Sequence, residues 1–353
     1  MTYTVTKAVK WGNSMSKHAN SSPKKSKYYL LLVALIIISV ITIISSFAIG
    51  YYKIPIKDIL TFILKGEKHV PSNIAIIIKR IRFPRIVAAF MIGAGLSIAG
   101  ASYQGMFKNP LVSPDILGVS TGAGLGAALA IVLDYPNIMI QLMAFVFGIV
   151  VVFLAYLIGT RTKYRQEVSL ILAGTMLGTL CSSFITLIKY LADPYEKLPA
   201  ITYWLMGSLS RVNNKALLFS VIPMVIGIVI LYLLRWRLNI LTLNDEEALA
   251  IGVNPKSVRL IAIIGATLIS ASSVCLGGII GWVGLMIPHI TRGLVGADYR
   301  RTLPISFLIG GTFLLIMDNL ARTLYAMEIP LGVLTSLFGA PFFIVLIIRG
   351  GNR

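Results

Sequence analysis

Asp318 and Arg322, one helical turn apart in the run DNLAR, are the first residues in this chain whose types and spacing suggest chemistry. An acid at the end of an apolar run is either a proton relay or half of a local ion pair with the arginine. Arg82 and Arg85 bracket Pro84 and offer two guanidinium forks, whose geometry fits carboxylates. His289 stands alone. His18 and His69 lie elsewhere and no Cys or carboxylate sits at ligand spacing, so His289 reads as a structural hydrogen-bonding residue rather than a metal ligand. Cys181 and Cys275 each sit inside an apolar run and read as core residues. No G-x-x-x-x-G-K-[ST] run occurs, so the chain has no phosphate cradle of that type. The stretch KNPLVSPDILG, residues 108–118, breaks a very apolar region with two prolines, an Asn and an Asp.

The elements that must position these groups are membrane helices. Of 353 residues 57% are hydrophobic and only 13% are charged, with a mean hydropathy of +0.85, which excludes a soluble domain. The net charge of +19 is spread between apolar runs and not gathered on one face, which points to loops flanking membrane spans and away from nucleic acid. The sequence therefore predicts an all-α integral membrane protein. Ten apolar runs reach or approach the length a bilayer needs: Tyr29 to Gly50, Ile86 to Phe107, Ile116 to Leu133, Ile138 to Gly159, Val168 to Leu191, Ala216 to Leu234, Leu260 to Val274, Ile279 to Thr291, Thr302 to Met317 and Leu331 to Ile348. Several are short and Gly-rich, which suits close helix packing inside a protein. GAGLGA at 122–127 lacks the preceding strand that a dinucleotide loop requires.

Residues 1–28 read as a disordered cytoplasmic tail, 29–348 as the membrane domain and 349–353 as a cytoplasmic C-terminus. Tyr29 to Gly50 is too long for a signal-peptide core and reads as a retained span. With the N-terminus inside, the inner connections carry Lys108; Arg161, Lys163 and Arg165; Arg235, Arg237, Lys256 and Arg259; Arg292, Arg300 and Arg301; and finally Arg349 and Arg353. The first outer connection disagrees. It holds Lys53, Lys57, Lys65, Lys68, Lys79, Arg80, Arg82 and Arg85 against Asp58 and Glu67. A weak echo links Arg85–Gly118 with Arg259–Pro288, both opening on Arg and carrying Ile-Gly-Ala; it reads either as an inverted repeat or as chance likeness between Gly-rich spans. Prolines 110 and 114 free backbone groups that only protein or water can satisfy, so 108–118 is expected at a pathway mouth.

The run RIRFPRIVAAFMIGAGLSIAGASYQGMFKNPLVSPDILGVSTGAGLG (80–126) resembles the FecCD-type permeases, the membrane subunits of ABC importers for iron-siderophores, haem and cobalamin. The likeness continues through LILAGTMLG, YWLMGSL, LNILTLNDEEALAIGVN, GWVGLMIPHITRGLVGADYRRTLP, DNLARTL and EIPLGVLTSLFGAPFF, covering nearly all of the chain after the tail. It departs from the commoner pattern in its longer tail, in Phe83 where Leu is usual and in Asp115 where a small residue is frequent. The resemblance implies a cobalamin-importer-like permease fold, a second permease subunit (identical or homologous), two cytoplasmic ABC ATPase subunits using ATP and Mg, and an extracytoplasmic substrate-binding protein. It implies a bacterial plasma membrane location and no cofactor, metal or catalytic residue on this chain.

Carried over residue by residue, the resemblance makes the connection 238–255 the element that couples to the ATPase, through Leu243, Glu247, Ala248, Leu249 and Gly252. The sequence itself suggests two short helices there, broken at Asn244 and Gly252, with Asn244 or Asp245 as a cap. Arg82, Arg85 and Arg322 match positions that dock acidic residues of the binding protein, which would also explain the basic outer connection. Asn109, Leu111, Glu167 and Val168 match a cytoplasmic gate, although Glu167 reads equally as an acid at a helix N-terminus. Ferric siderophore is the expected cargo, with haem and cobalamin as alternatives. A proton-coupled transporter using Asp318 and a channel are the rival classes, and neither accounts for the LNDEEALAIGVN loop.

Overall fold

A computed structural model describes residues 25–50, 52, 54–162, 166–325 and 327–351. Most of the predicted tail, together with Lys53, Lys163, Arg165 and Arg353, lies outside the described residues.

The long helices are α1 (Lys25–Ala48), α4 (Phe83–Met106), α6 (Asn137–Arg161), α7 (Gln166–Leu191), α9 (Asn214–Leu233), α12 (Pro255–Gly277) and α14 (Tyr299–Ala321). Seven helical stretches are long and apolar enough to cross a membrane; in one of them α4 is lengthened by α3 (Ser72–Ile76) and a π-helical segment, Ile77–Arg82. Three shorter apolar helices are α5 (Val119–Val132), α13 (Val283–Val295) and α15 (Leu331–Gly351). Each of the ten apolar runs falls on one of these helices. The described elements also include α2 (Ile56–Lys65), α8 (Lys197–Leu205), α10 (Arg235–Ile240) and α11 (Asp245–Ala250).

Two boundaries differ from expectation. Helix α1 begins at Lys25, so residues 25–28 of the predicted disordered tail are helical. The second span starts at Ser72, not Ile86, which puts Arg82 and Arg85 inside a continuous helical stretch. Proline 84 falls where the π-helical segment Ile77–Arg82 gives way to α4, so its missing N–H is taken up at a change of hydrogen-bond register within the stretch.

Most of α4, α12 and α14 is buried, whereas α1, α6, α7 and α9 turn many apolar side chains outward, as expected where lipid and not water is the solvent. Small residues let the backbones meet. A Cβ on Gly93 would lie 2.2 Å from the Gly310 carbonyl oxygen, and one on Gly100 would lie 1.7 Å from that of Gly284. The two contacts lock α4 against α14 and α13.

The polar loop 108–118 folds back into this bundle. Pro114 lies against Gly284, where an added Cβ would come within 2.4 Å of the ring. Asp115 accepts a hydrogen bond from Ser120, and Gln104 donates to the carbonyls of Val112 (3.2 Å) and Leu285 (3.3 Å). The segment 278–282 meets it from the other side and turns at Trp282, whose φ of 69° is uncommon for a bulky residue. The inner part of the loop, with Val112, Pro114 and Leu117 buried, is thus enclosed by protein, whereas Lys108, Asn109 and Leu111 remain exposed.

Candidate functional site

Functional candidates gather at the two ends of the bundle. At one end α4 begins, α1 and α14 finish, and three arginines converge. Arg85 donates through Nε to Asp318 Oδ1 (3.0 Å) and Oδ2 (3.2 Å), and through Nη1 and Nη2 to Glu328 Oε1 (2.6 Å) and Oε2 (2.9 Å). The Asp318 side chain is 0% exposed. Arg322 Nε lies 3.3 Å from Asp318 Oδ2, so the one-turn ion pair read from the sequence is present. Arg322 also donates to Asn319 Oδ1, and Asn319 donates to Ser46 Oγ (2.7 Å). Arg82 donates to the carbonyls of Phe47 and Tyr52. Phe47 is in the last turn of α1, where a cation meets the negative end of the helix dipole.

The sequence placed these arginines on an outer surface. Their side chains are instead buried: residue exposure is 4% for Arg82 and 6% for Arg85, and the Arg322 side chain is 8% exposed. The reason is local. The carbonyls leaving α1 and the carboxylates of α14 and the following turn satisfy guanidinium groups that a docking surface would leave free. Glu328 is the one member with substantial access, its side chain 39% exposed. Sequence reasoning missed it because it stands six residues beyond Arg322, in a connection with no periodic signal.

The opposite end carries the connection 238–255. Two short helices form there, α10 and α11, with Asn244 as N-cap of a capping box: its backbone N–H donates to Glu247 Oε2 (3.1 Å). Gly252 takes a φ of 83°. Leu243 (39%), Leu249 (57%) and Ile251 (55%) are exposed and form an apolar patch beside the acids Glu246 and Glu247, whereas Ala248 (1%) faces inward.

Two polar tethers run from this connection into the bundle. Lys108 Nζ donates to the Leu243 carbonyl (2.6 Å). Arg259 forks onto Asp245 with Nη1 to Oδ2 (2.9 Å) and Nη2 to Oδ1 (2.7 Å), and Nη2 also reaches Glu167 Oε1 (2.6 Å). Arg259 is 1% exposed. Asn109 and Leu111 follow the first tether directly, joined by an Asx turn in which Leu111 N donates to Asn109 Oδ1 (2.9 Å), and Leu111 is 64% exposed. Val168, 49% exposed, follows the second. Glu167 stands in the first turn of α7, as the helix N-terminal reading expects, and also pairs with Arg259.

His289 packs against the rings of Phe342 and Phe343, both with centroids at 6.2 Å. Among the described residues no group of three or more His, Cys, Asp or Glu is placed to hold a metal. Both cysteines are buried and free.

The sequence model of the FecCD transport family matches residues 32–349. The molybdate import system permease protein MolB of Haemophilus influenzae is 39% identical, over 92% of this chain and 98% of its own length. The Fe(3+)-citrate import system permease protein YfmE of Bacillus subtilis is 37% identical, over 90% of this chain and 93% of its own. Other relatives carry names for hemin import in Yersinia pestis and cobalamin import in Halobacterium salinarum. Among solved structures, an inward-facing transporter assigned to the metal-chelate ABC type superposes with a TM-score of 0.80 at 38% identity, over 91% of this chain and 99% of that one.

Proposed function

Since the chain belongs to the FecCD transport family and is an ABC importer permease, we propose that it translocates a chelated metal, ferric siderophore first, driven by ATP hydrolysis in partner subunits. Haem and cobalamin are the alternative cargoes. The observation that carries this reading is the double tether. The exposed leucines of 238–255 offer a docking face, and Lys108 and Arg259 join that face to the segments bearing Asn109, Leu111, Glu167 and Val168. A push on α11 would therefore reach both gate segments.

On this reading the end with 238–255 is cytoplasmic, the end with Arg85 faces an external binding protein, and ATP and Mg are held by two ATPase subunits. A second permease copy is supported by α7. Thr175, Thr179, Ser183 and Thr186 form an exposed hydroxyl stripe, each donating to a carbonyl four residues back at 2.6–3.0 Å. Ser and Thr at such positions are small enough to let a helix of a second copy approach closely. The proton-relay rival loses support because Asp318 is buried between Arg85 and Arg322, away from the water with which a relay must exchange.

The test is uptake of a radioactive ferric chelate into proteoliposomes holding the permease, its ATPase and the loaded binding protein. ATP-dependent, vanadate-sensitive uptake is expected; uptake driven by a pH gradient without ATP would falsify the proposal.

A further inference from the structure

The end of the bundle that carries Arg85 also holds a cavity of about 670 Å³, between the start of α6, the end of α8, the connection 207–213 and the turn at 327–330. Its walls are braced by backbone hydrogen bonds between distant segments: Ser208 N donates to the Gly277 carbonyl (2.8 Å), Leu331 N to that of Gly207 (2.9 Å) and Gly332 N to that of Met206 (3.2 Å). Gly207 can join these strands of chain because its φ is 78°. The space is thus built into the fold, and its size falls in the range of about 300–1,000 Å³ typical of small-molecule sites.

The lining has a definite chemistry. Trp204 and Tyr203 give it aromatic surface, and Arg211 and Lys215 give it two cations that have no carboxylate partner among the described residues. Glu328 is the carboxylate at its wall, and both its oxygens are already held by Arg85. Gln141 lines the same space and has a buried Oε1 without a hydrogen-bond partner. An acceptor left open in this way calls for a donor, from water or a ligand hydroxyl, so an anionic ligand's charged oxygens would be held by the two cations and not by Gln141.

We propose that this cavity is a binding station for an anionic ferric chelate bearing carboxylate or catecholate groups, gripped by Arg211 and Lys215 and stacked on Trp204 and Tyr203. This rests on the importer reading and narrows its cargo by charge. Guanidinium and ammonium groups reward carboxylate and phenolate oxygens, while the indole face rewards flat ligand rings. A neutral chelate of equal size gains the stacking and forfeits the ionic contacts.

Trp204 supplies a readout that needs no transport. The assembled transporter in detergent is titrated with ferric citrate, a ferric tris-catecholate and a neutral ferric trihydroxamate while indole fluorescence is followed. The expected result is saturable quenching by at least one anionic chelate, lost in Trp204→Phe, and weakened at least about tenfold in Arg211→Gln/Lys215→Gln. The trihydroxamate is expected to bind at least about tenfold more weakly than that anion. Absence of quenching by both anions, equal affinity for the neutral chelate, or affinity unchanged in the double variant overturns the site. Displacement of the chelate by an equal concentration of short-chain phosphatidylglycerol would reassign the cations to a lipid headgroup and also overturns it. Vanadate-sensitive uptake measured alongside separates the two readings: uptake without the quenching signature defeats the cavity alone, and absence of ATP-driven uptake defeats the importer.

Discussion

Arg85 and Arg259 stand near the N-terminal ends of two neighbouring antiparallel helices, and each guanidinium is buried between two carboxylates drawn from other segments. A buried guanidinium is costly unless its charge is paired, so each arginine depends on its acids. One clamp joins α4 to α14 and the turn beyond it; the other joins α12 to α11 and α7.

Arg259→Gln removes the guanidinium that Asp245 and Glu167 share. Removing one partner of a buried pair costs about 3–5 kcal/mol, and the lower end applies because Asp245 is half-exposed. The expected outcome is a lower melting temperature and loss of ATP-driven uptake. Adding Asp245→Asn and Glu167→Gln should restore the melting temperature but not uptake, which thermal unfolding and vesicle assays read separately.

Leu249→Asp is the cleaner test of ATPase docking. Glu247→Arg or deletion of residues 248–252 would also break the capping box or the buried Ala248 contact, and so confuse docking with folding. Leu249 is exposed, so the variant should insert normally yet fail to co-purify with the ATPase. Normal co-purification removes the exposed leucines from the interface.

Charge reversal at Arg85 or Arg322 is expected to damage the fold before it reports on docking, because both side chains are buried. Glu328→Gln is more informative. It leaves Asp318 to hold Arg85 and frees the outer half of the fork. If Arg85 engages acids of the binding protein, affinity rises several-fold with a steeper salt dependence. Unchanged affinity at low and moderate salt takes Arg85 off the docking surface.

Gly100→Ala and Gly284→Ala should each reduce the folded fraction on size exclusion, since the new Cβ meets backbone or a proline ring at 1.7 and 2.4 Å. Overpacking of this kind costs about 1–3 kcal/mol or more. Gly293→Ala is the control: nothing lies within 4 Å of its Cβ position, and stability should hold or rise.

The apolar runs were legible because hydropathy depends on composition alone, and Asn244 was legible as a cap because the acids follow it at the right spacing. The burial of Arg82 and Arg85 was not. Their partners, Phe47, Tyr52, Asp318 and Glu328, lie 30 to 243 residues away, and local charge counting sees only a basic stretch. Helix α2 was missed for a different reason: its Ile59 is buried against Ile54, Ile74 and Ile78 in a small cluster, while Lys57, Asp58 and Lys65 dilute its hydropathy below that of a span. The echo between Arg85 and Arg259 falls on two helices that pack antiparallel, a geometry open to an inverted repeat and to chance likeness alike.

The seat of Pro114 on Gly284 bears on how the chain is assembled during synthesis. Pro114 leaves the ribosome roughly 170 residues before Gly284, a delay of about 10–30 s at ordinary elongation rates. Until α13 arrives, the loop around Asp115 has no wall on that side. Its closure is therefore a late step of biogenesis, and a chain truncated before residue 283 should leave this loop open to proteases and to the quality-control machinery of the membrane.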